Sequence, residues 1–235
     1  MTTEPTPEPA QNRLNKHLAL QMGISRREAD DLISRGNVTI NGVAATLGAR
    51  FNDGDKIALG TDVIKSDAAY EYIILHKPTG YVCSRSQQGD SPTIYELLPT
   101  SLHHLKPVGR LDRESSGIIL LSNDGNFAYT MTHPKFAKTK IYNVRLEDDL
   151  APLHQQMIND HGIQLEDGSS QLQLERMNED DRKSWIITMK EGRNRQIRRT
   201  FGALGYTVAK LHRTNFGNYS LGDIQPGEFE PTTAL

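Results

Sequence analysis

Several absences narrow what this 235-residue chain does. It holds one cysteine, Cys83. An intramolecular disulfide is therefore excluded, and a lone thiol suits a reducing compartment. No apolar run approaches the roughly 18 residues of a membrane span, and the opening MTTEPTPEPAQ lacks the apolar core of a signal peptide. The chain is expected to be soluble and cytoplasmic, with no membrane partner. Residues 1–11 are rich in Pro, Glu and Thr and short of apolar surface, the composition of a disordered tail. Metal chemistry lacks its ligands: the eight histidines are scattered, and the adjacent His103-His104 is a poor chelate. No Gly-rich loop precedes a helix to cradle a nucleotide phosphate. What remains is an ordinary apolar fraction of 36%, enough to pack a core without disulfide or metal.

Net charge is −2, which by itself argues against a nucleic-acid partner, but the charge is segregated. Residues 147–181 hold ten acids and one base, Arg176, whereas residues 182–213 hold nine bases and one acid, Glu191. A basic stripe of that density attracts phosphates, and a whole-chain average conceals it. The competing reading is two solvated faces that neutralise one another in the fold.

Along the chain, RLNKHLALQM places Leu14, Leu18 and Met22 at helical spacing, and Gly23 stops that helix. In SRRE, Ser25 suits an N-cap and Glu28 the answering position of a capping box. The second helix is expected to run to Ser34, with Ala29, Leu32 and Ile33 inward and Gly36 as its exit. NVTI-NG-VAAT reads as a hairpin on a type I′ Asn41-Gly42 turn, and FNDGDKIALG supplies a further turn and strand. Residues 12–60 thus form a small unit, 61–69 a linker, and 70–235 a second domain. In the second domain YIILHK, GYVCSR, GIILL, KIYNVRL, SWIITMK and TVAKLHR read as strands. EGRNRQIRRTFGALGY switches to helical period, with Ile197, Phe201 and Leu204 apolar and Arg195, Arg198 and Arg199 on the adjoining face. Hairpin-like spacing favours an α+β fold with a largely antiparallel mixed sheet and flanking helices, plus a small front module of ααβ type.

The helix, SRREA helix and GNVTINGV hairpin, from about Asn12 to Gly60, closely resemble the small RNA-binding module named after a ribosomal small-subunit protein. Its candidate phosphate contacts are Arg13, Lys16, Ser25, Arg26, Arg27 and Arg35.

The stretch GRLDRESSGIILLSNDG poses the chemical question. Asp112 sits where a loop enters an apolar strand, flanked by Arg110 and Arg113. A lone Asp there is most simply a turn-former. An aspartate that works as a nucleophile or base inside a cleft needs an opposing cation, because desolvation disfavours its charge, and the arginine-rich helix offers one.

That stretch, with HKPTGYVCS before it and KIY and EGRNRQIRRTF after it, resembles the RsuA/RluB branch of pseudouridine synthases, with the RNA-binding module in front. The resemblance implies an isomerase that converts one uridine of ribosomal RNA to pseudouridine, with no cofactor because the reaction is redox-neutral. It implies that Asp112 is the catalytic aspartate, that Tyr142 stacks on the target base, and that Arg198 pairs with the aspartate. Leu211 is implied to pack against the uracil, and Arg110 to fill the gap left by the extruded base. By residue type alone Tyr142 reads equally as a core tyrosine, Leu211 as a core leucine, and Arg198 as a phosphate clamp with Arg193, Arg195 and Arg199. GIQLEDG and the W…EGRNRQIRRTF run favour a large-subunit (23S) target over 16S. A monomer is expected. The acidic stretch matches no motif. Two other readings are a non-catalytic RNA-binding ribosome-assembly factor and a metal-dependent nuclease, the latter opposed by the lack of clustered carboxylates near the basic helix, the acids lying elsewhere in sequence.

Overall fold

The computed structural model describes residues 12–65, 68–85 and 89–235; the expected tail, residues 1–11, lies outside them. The chain divides into two compact units, Met1–Tyr70 and Glu71–Leu235.

In the first unit, β1 (Asn12–Arg13) leads into α1 (Leu14–Gln21) and α2 (Arg26–Ser34). Ser25 caps α2: its side chain accepts from the Glu28 N–H, and the Glu28 carboxylate accepts from the Ser25 N–H. Strands β2 (Val38–Ile40), β3 (Val43–Ala44), β4 (Arg50–Phe51), β5 (Ile57–Leu59) and β6 (Asp62–Val63) follow. The β2–β3 hairpin turns on Asn41 and Gly42, both at positive φ (51° and 82°), as a type I′ turn requires. Leu14, Leu18, Ala29, Ile33, Val38, Phe51 and Ile57 are buried together between the helices and the sheet.

Two expectations change here. Met22 is exposed, because α1 ends one residue earlier and Ala19 takes the inward place. Part of the expected linker, residues 61–69, is instead a strand: Gly60 folds the chain back and β6 pairs with β5. That pairing occupies backbone groups on β5 that would otherwise form an open edge.

The second unit runs β7 (Tyr72–Lys77), β8 (Lys106–Val108), β9 (Ser116–Ser122), α3 (Gly125–Thr132), β10 (Lys140–Leu146) and α4 (Pro152–Gln156). It continues with β11 (Ile163–Leu165), β12 (Gly168–Ser170), β13 (Gln173–Arg176), β14 (Ser184–Met189), α5 (Gln196–Gly202), β15 (Val208–Phe216), β16 (Tyr219–Ser220) and β17 (Phe229–Thr232). The main sheet has the order β13-β14-β10-β15-β9-β7-β17, with β16 on β15 and β8 on β9. Every pairing in it is antiparallel except β9 with β15. The α+β expectation therefore holds, with one parallel seam.

That seam positions the site. β9 and β15 touch only through His212↔Ser116 and Arg213↔Gly117 before they part. Gly117 makes the approach possible: it has φ 112°, and a Cβ there would lie 2.1 Å from the Arg213 carbonyl oxygen. Where the ladder stops, the buried Arg213 guanidinium donates twice to the Ile118 carbonyl, at 2.9 and 2.7 Å. One core, around Trp185, Ile187, Val144 and Phe201, lies on the β10–β14 side of the seam. Others, around Ile118, Leu120 and Phe216 and around Leu75, Ile119 and Leu121, lie on the β7–β9 side.

GYVCSR is not a strand. Gly80 adopts φ 93° and gives its N–H to the Arg113 carbonyl, so the segment is drawn toward the Asp112 loop and keeps one isolated bridge, Val82↔Thr93. After the NDG exit the chain forms α3, capped by the Asp124 carboxylate on the Asn126 N–H, with Phe127 and Met131 buried one turn apart. Sequence periodicity did not assign this helix. Helix α5 begins later than expected: Arg195 precedes it at φ 47°.

Candidate active site

The loop from Gly109 to Ser115 is built to hold a carboxylate still at the seam. Gly109 starts it at φ 78°, and the Ser115 N–H closes a tight turn on the Asp112 carbonyl at 3.0 Å. Beneath it lies Lys77, the last residue of β7, with 0% exposure. Its Nζ donates to the carbonyls of Ser115 (2.7 Å), Asp112 (3.1 Å) and Pro78 (3.1 Å). An ammonium has three N–H donors, and here all three end on backbone oxygen. Burial pulls its pKa below the ordinary lysine value. Cys83 fastens the loop from the other side, accepting from the Leu111 N–H and donating to the Leu111 carbonyl, both at 3.4 Å. Burial pushes that thiol's pKa up, so it packs rather than reacts.

The Asp112 side chain is 30% exposed and faces the arginine wall. Its nearest cation is Arg195, with Nη1 3.6 Å from Oδ2, and not Arg198, which the resemblance implies as its partner. The same Nη1 lies 3.0 Å from Glu114 Oε2, so Arg195 bridges two carboxylates two residues apart. Arg198 reaches the Val208 carbonyl (2.8 Å) and the Glu114 carbonyl (3.4 Å), which ties the helix to the loop instead of pairing with Asp112. Arg195 stands just before α5 in left-handed backbone, at φ 47°. That conformation costs a non-glycine residue about 1–2 kcal/mol. An exposed ion pair returns only about 0–1 kcal/mol, so the contact orients charge more than it stabilises the fold. The hydrogen bond from Arg195 holds Glu114 below the ordinary glutamate range.

Opposite the loop, β10 and β15 supply the apolar wall. Tyr142 pairs with Arg213 and Val144 with Leu211, so Tyr142, Leu211 and Arg213 share one face. That face, the Asp112 loop and the arginine turn enclose a cleft of about 980 Å³. Arg110, Lys140 and Phe216 line it too. Asp112, Tyr142, Leu211 and Arg110 are thus brought to one cavity, whereas Arg198 is not among its lining residues.

The remaining arginines are less free than their sequence implied. Asp167, at the tip of the β11–β12 hairpin, takes Arg199 on both oxygens (2.7 and 3.1 Å) and Arg193 on Oδ1 (2.8 Å). Arg193 also donates to the Gly168 and Ser169 carbonyls and pairs with Glu191. A buried chain from Gln196 Nε2 to Ser170 Oγ and on to Thr200 Oγ1 holds the hairpin to α5. The acidic stretch therefore neutralises part of the basic one. In the first unit Arg13, Arg26, Arg27 and Arg35 are exposed and Lys16 is half-buried. Arg26 donates to Asn15 (3.0 Å), and the Ser25 hydroxyl oxygen is occupied by its capping role. Arg35 sits at the C-terminal end of α2, about 13 Å from Arg26 by helix rise, so it stands apart from the other candidate phosphate contacts near Ser25.

Among the described residues no three His, Cys, Asp or Glu side chains are grouped to hold a metal ion, and no helix is long and apolar enough to cross a membrane.

The family profile described as RNA pseudouridylate synthase matches residues 71–203, which hold the Asp112 loop, β10 and the arginine turn. The chain belongs to the RNA pseudouridylate synthase family. The S4 domain profile matches residues 13–57. The chain is 34% identical to a protein of Pasteurella multocida (strain Pm70) named ribosomal small subunit pseudouridine synthase A, over 94% of this chain and 96% of that one. It is 32% identical to a protein of Bacillus subtilis (strain 168) named ribosomal large subunit pseudouridine synthase B, over 94% and 92%. A crystal structure of a pseudouridylate synthase matches with a TM-score of 0.67 and 31% identity, over 94% of this chain and 96% of that one. In this pseudouridylate synthase three contributors escaped sequence reasoning: Lys77, Glu114 and Asp167. A lysine ending an otherwise apolar strand, YIILHK, was the available signal for the first. The other two carried none, since their partners lie 81 and 32 residues away.

Proposed function

We propose that this pseudouridylate synthase isomerises one uridine of ribosomal RNA, a large-subunit (23S) site being favoured over a small-subunit (16S) one. The observation that carries the reading is the convergence of Asp112, Tyr142 and Leu211 on one cleft, with the Arg195 guanidinium 3.6 Å from the aspartate. The reaction breaks the bond from N1 of the uracil to C1′, turns the base and joins C5 to C1′; C5 gives up its proton and N1 takes one up, so the product is an isomer. It needs a carboxylate, a cation to hold that carboxylate's charge, and a slot that grips a loose base.

Asp112 supplies the carboxylate, either attacking C6 of the base or assisting the cleavage at C1′ through a glycal intermediate. Arg195 is the cation; Arg198 acts one step removed, fastening α5 to the Glu114 carbonyl. Tyr142 and Leu211 form the slot, and Arg110 stands at the loop edge where an extruded base leaves its helix. Extrusion costs about a few kcal/mol. Stacking on one aromatic ring returns about 1–3 kcal/mol. The S4-type unit would hold the RNA through Arg13, Lys16, Arg26, Arg27 and Arg35, and the reading places the enzyme in the cytoplasm as a monomer. The large-subunit preference rests on the GIQLEDG hairpin and the Trp185-to-α5 run.

Pseudouridine mapping in 16S and 23S rRNA from cells with and without the gene tests both levels. We expect one modified position to disappear from 23S rRNA and to return with the wild-type gene but not with Asp112→Ala, a loss of about 10⁴-fold or more in rate. A lost site in 16S rRNA would correct the target. Full modification by Asp112→Ala would overturn the mechanism.

A further inference from the structure

The segment from Gly125 to Leu146 carries four bases and no acid. The last turn of α3 and the turn that joins it to β10 present an arrangement that the isomerisation itself does not use. Tyr129 and Phe136 are 47% and 38% exposed, unusual for large apolar rings in this chain. They meet with centroids 5.7 Å apart, edge to face, and His133 contacts both, at 4.7 and 6.4 Å. Lys135 Nζ lies 5.1 Å from the centre of the Tyr129 ring and 4.7 Å from that of Phe136.

The cluster is held in place. The His133 Nδ1 accepts from the Lys135 N–H at 3.2 Å, and Ala137 closes the turn in left-handed backbone at φ 45°. His133, Pro134, Ala137 and Lys138 line the catalytic cleft, so the cluster stands at its rim. Among the described residues neither Lys135 nor Lys138 has a carboxylate partner, in contrast to the arginines across the cleft.

We propose that Tyr129 and Phe136, with Lys135, form a second RNA subsite that stacks an unpaired base flanking the target nucleotide and contacts its phosphate. The inference rests on RNA being the substrate. Its chemistry is that of single-strand recognition: exposed π-faces interleaved with cations, sequence-tolerant because every base has a face to offer. A duplex, with its bases already stacked inside, has nothing to place on these rings. An apolar protein partner would gain nothing from the uncompensated lysines.

The test uses the full-length protein and two probes, a short fluorescent single-stranded RNA and an RNA duplex of the same length, followed by anisotropy. Tyr129→Ala and Phe136→Ala should each weaken the single strand about ten-fold, the lower part of what one base–aromatic stack contributes. Duplex affinity should stay within about two-fold. Phe136→Tyr should restore binding and Phe136→Leu should not, which separates a π-platform from a merely apolar surface. Ultraviolet cross-linking of the wild-type protein should place the single strand on the peptide holding Tyr129 or Phe136. Unchanged single-strand affinity, equal losses on both probes, or rescue by Phe136→Leu would each overturn the subsite. Because binding is read without turnover, the two readings fail separately. An active enzyme indifferent to these substitutions sinks the subsite alone, and a wild-type protein with single-strand stacking but no isomerase activity sinks the function alone.

Discussion

On one side of the cleft the arginine turn and α5 carry Arg193, Arg195, Arg198 and Arg199, which all end on carboxylate or carbonyl oxygens; at the opposite rim, Lys135 and Lys138 meet no carboxylate among the described residues. Both walls are basic in sequence, and the arginine wall is the denser. Yet the denser wall is the more nearly neutral, because Asp112, Glu114 and Asp167 are folded onto it. A guanidinium caught between carboxylates is a scaffold that fixes their direction, whereas an unpaired ammonium is available to a phosphate. A count of charges along a chain is therefore a poor guide to the potential that a ligand meets.

That contrast can be broken at Arg195 first. Replacing it with Ala removes the cation nearest Asp112, and we expect the single-turnover rate to fall by about 10²–10³-fold, in the range of lost electrostatic stabilisation. RNA affinity should change far less, with the slope of log K against log salt shifting by under about one contact. A large affinity loss with an intact rate would make Arg195 a phosphate ligand and erase the difference between the walls.

A smaller effect is expected at Asp167. Asp167→Asn releases Arg199 and one contact of Arg193, turning scaffold back into free charge. RNA should bind about three-fold tighter at low salt, with a steeper salt dependence. Weaker binding would mean that the hairpin positions these arginines for RNA instead of withholding them.

The smallest effect concerns Glu114. Its carboxyl titrates below the ordinary glutamate range because Arg195 hydrogen-bonds it. A carboxyl with a depressed folded pKa contributes in full above the unfolded value, and that contribution is lost as pH falls through the folded one. The Arg195–Glu114 contact should therefore persist down to the ordinary glutamate pKa and give way only below it. Carboxyl ¹³C titration should show the Glu114 pKa rising toward the ordinary glutamate range in Arg195→Ala. An unchanged value would deny that Arg195 sits where the geometry puts it.

Much of the fold was legible because its causes are local. The Ser25–Glu28 capping box, the Asn41-Gly42 turn and the alternation of Tyr142, Val144 and Leu146 are written in spacings of one to four residues. The structure realises each as read. GYVCSR failed for a non-local reason: its backbone partner, the Arg113 carbonyl, lies more than 30 residues on and draws the segment off the sheet. Helix α3 escaped because only two of its residues, Phe127 and Met131, face the core, too few for a periodic signal.

The division follows from range. Residue order alone determined the front helices and their hairpin, the buried face of β10 and the carboxylate held at a loop-to-strand junction, since these depend on backbone preference and periodicity within one segment. Only the tertiary structure decided which arginine meets Asp112, that Lys77 holds its loop from below, and that an acidic hairpin closes over part of the basic helix. Those choices turn on a few ångströms between side chains far apart along the chain. Electrostatic contacts of that kind respond to distance and burial, which no one-dimensional pattern records.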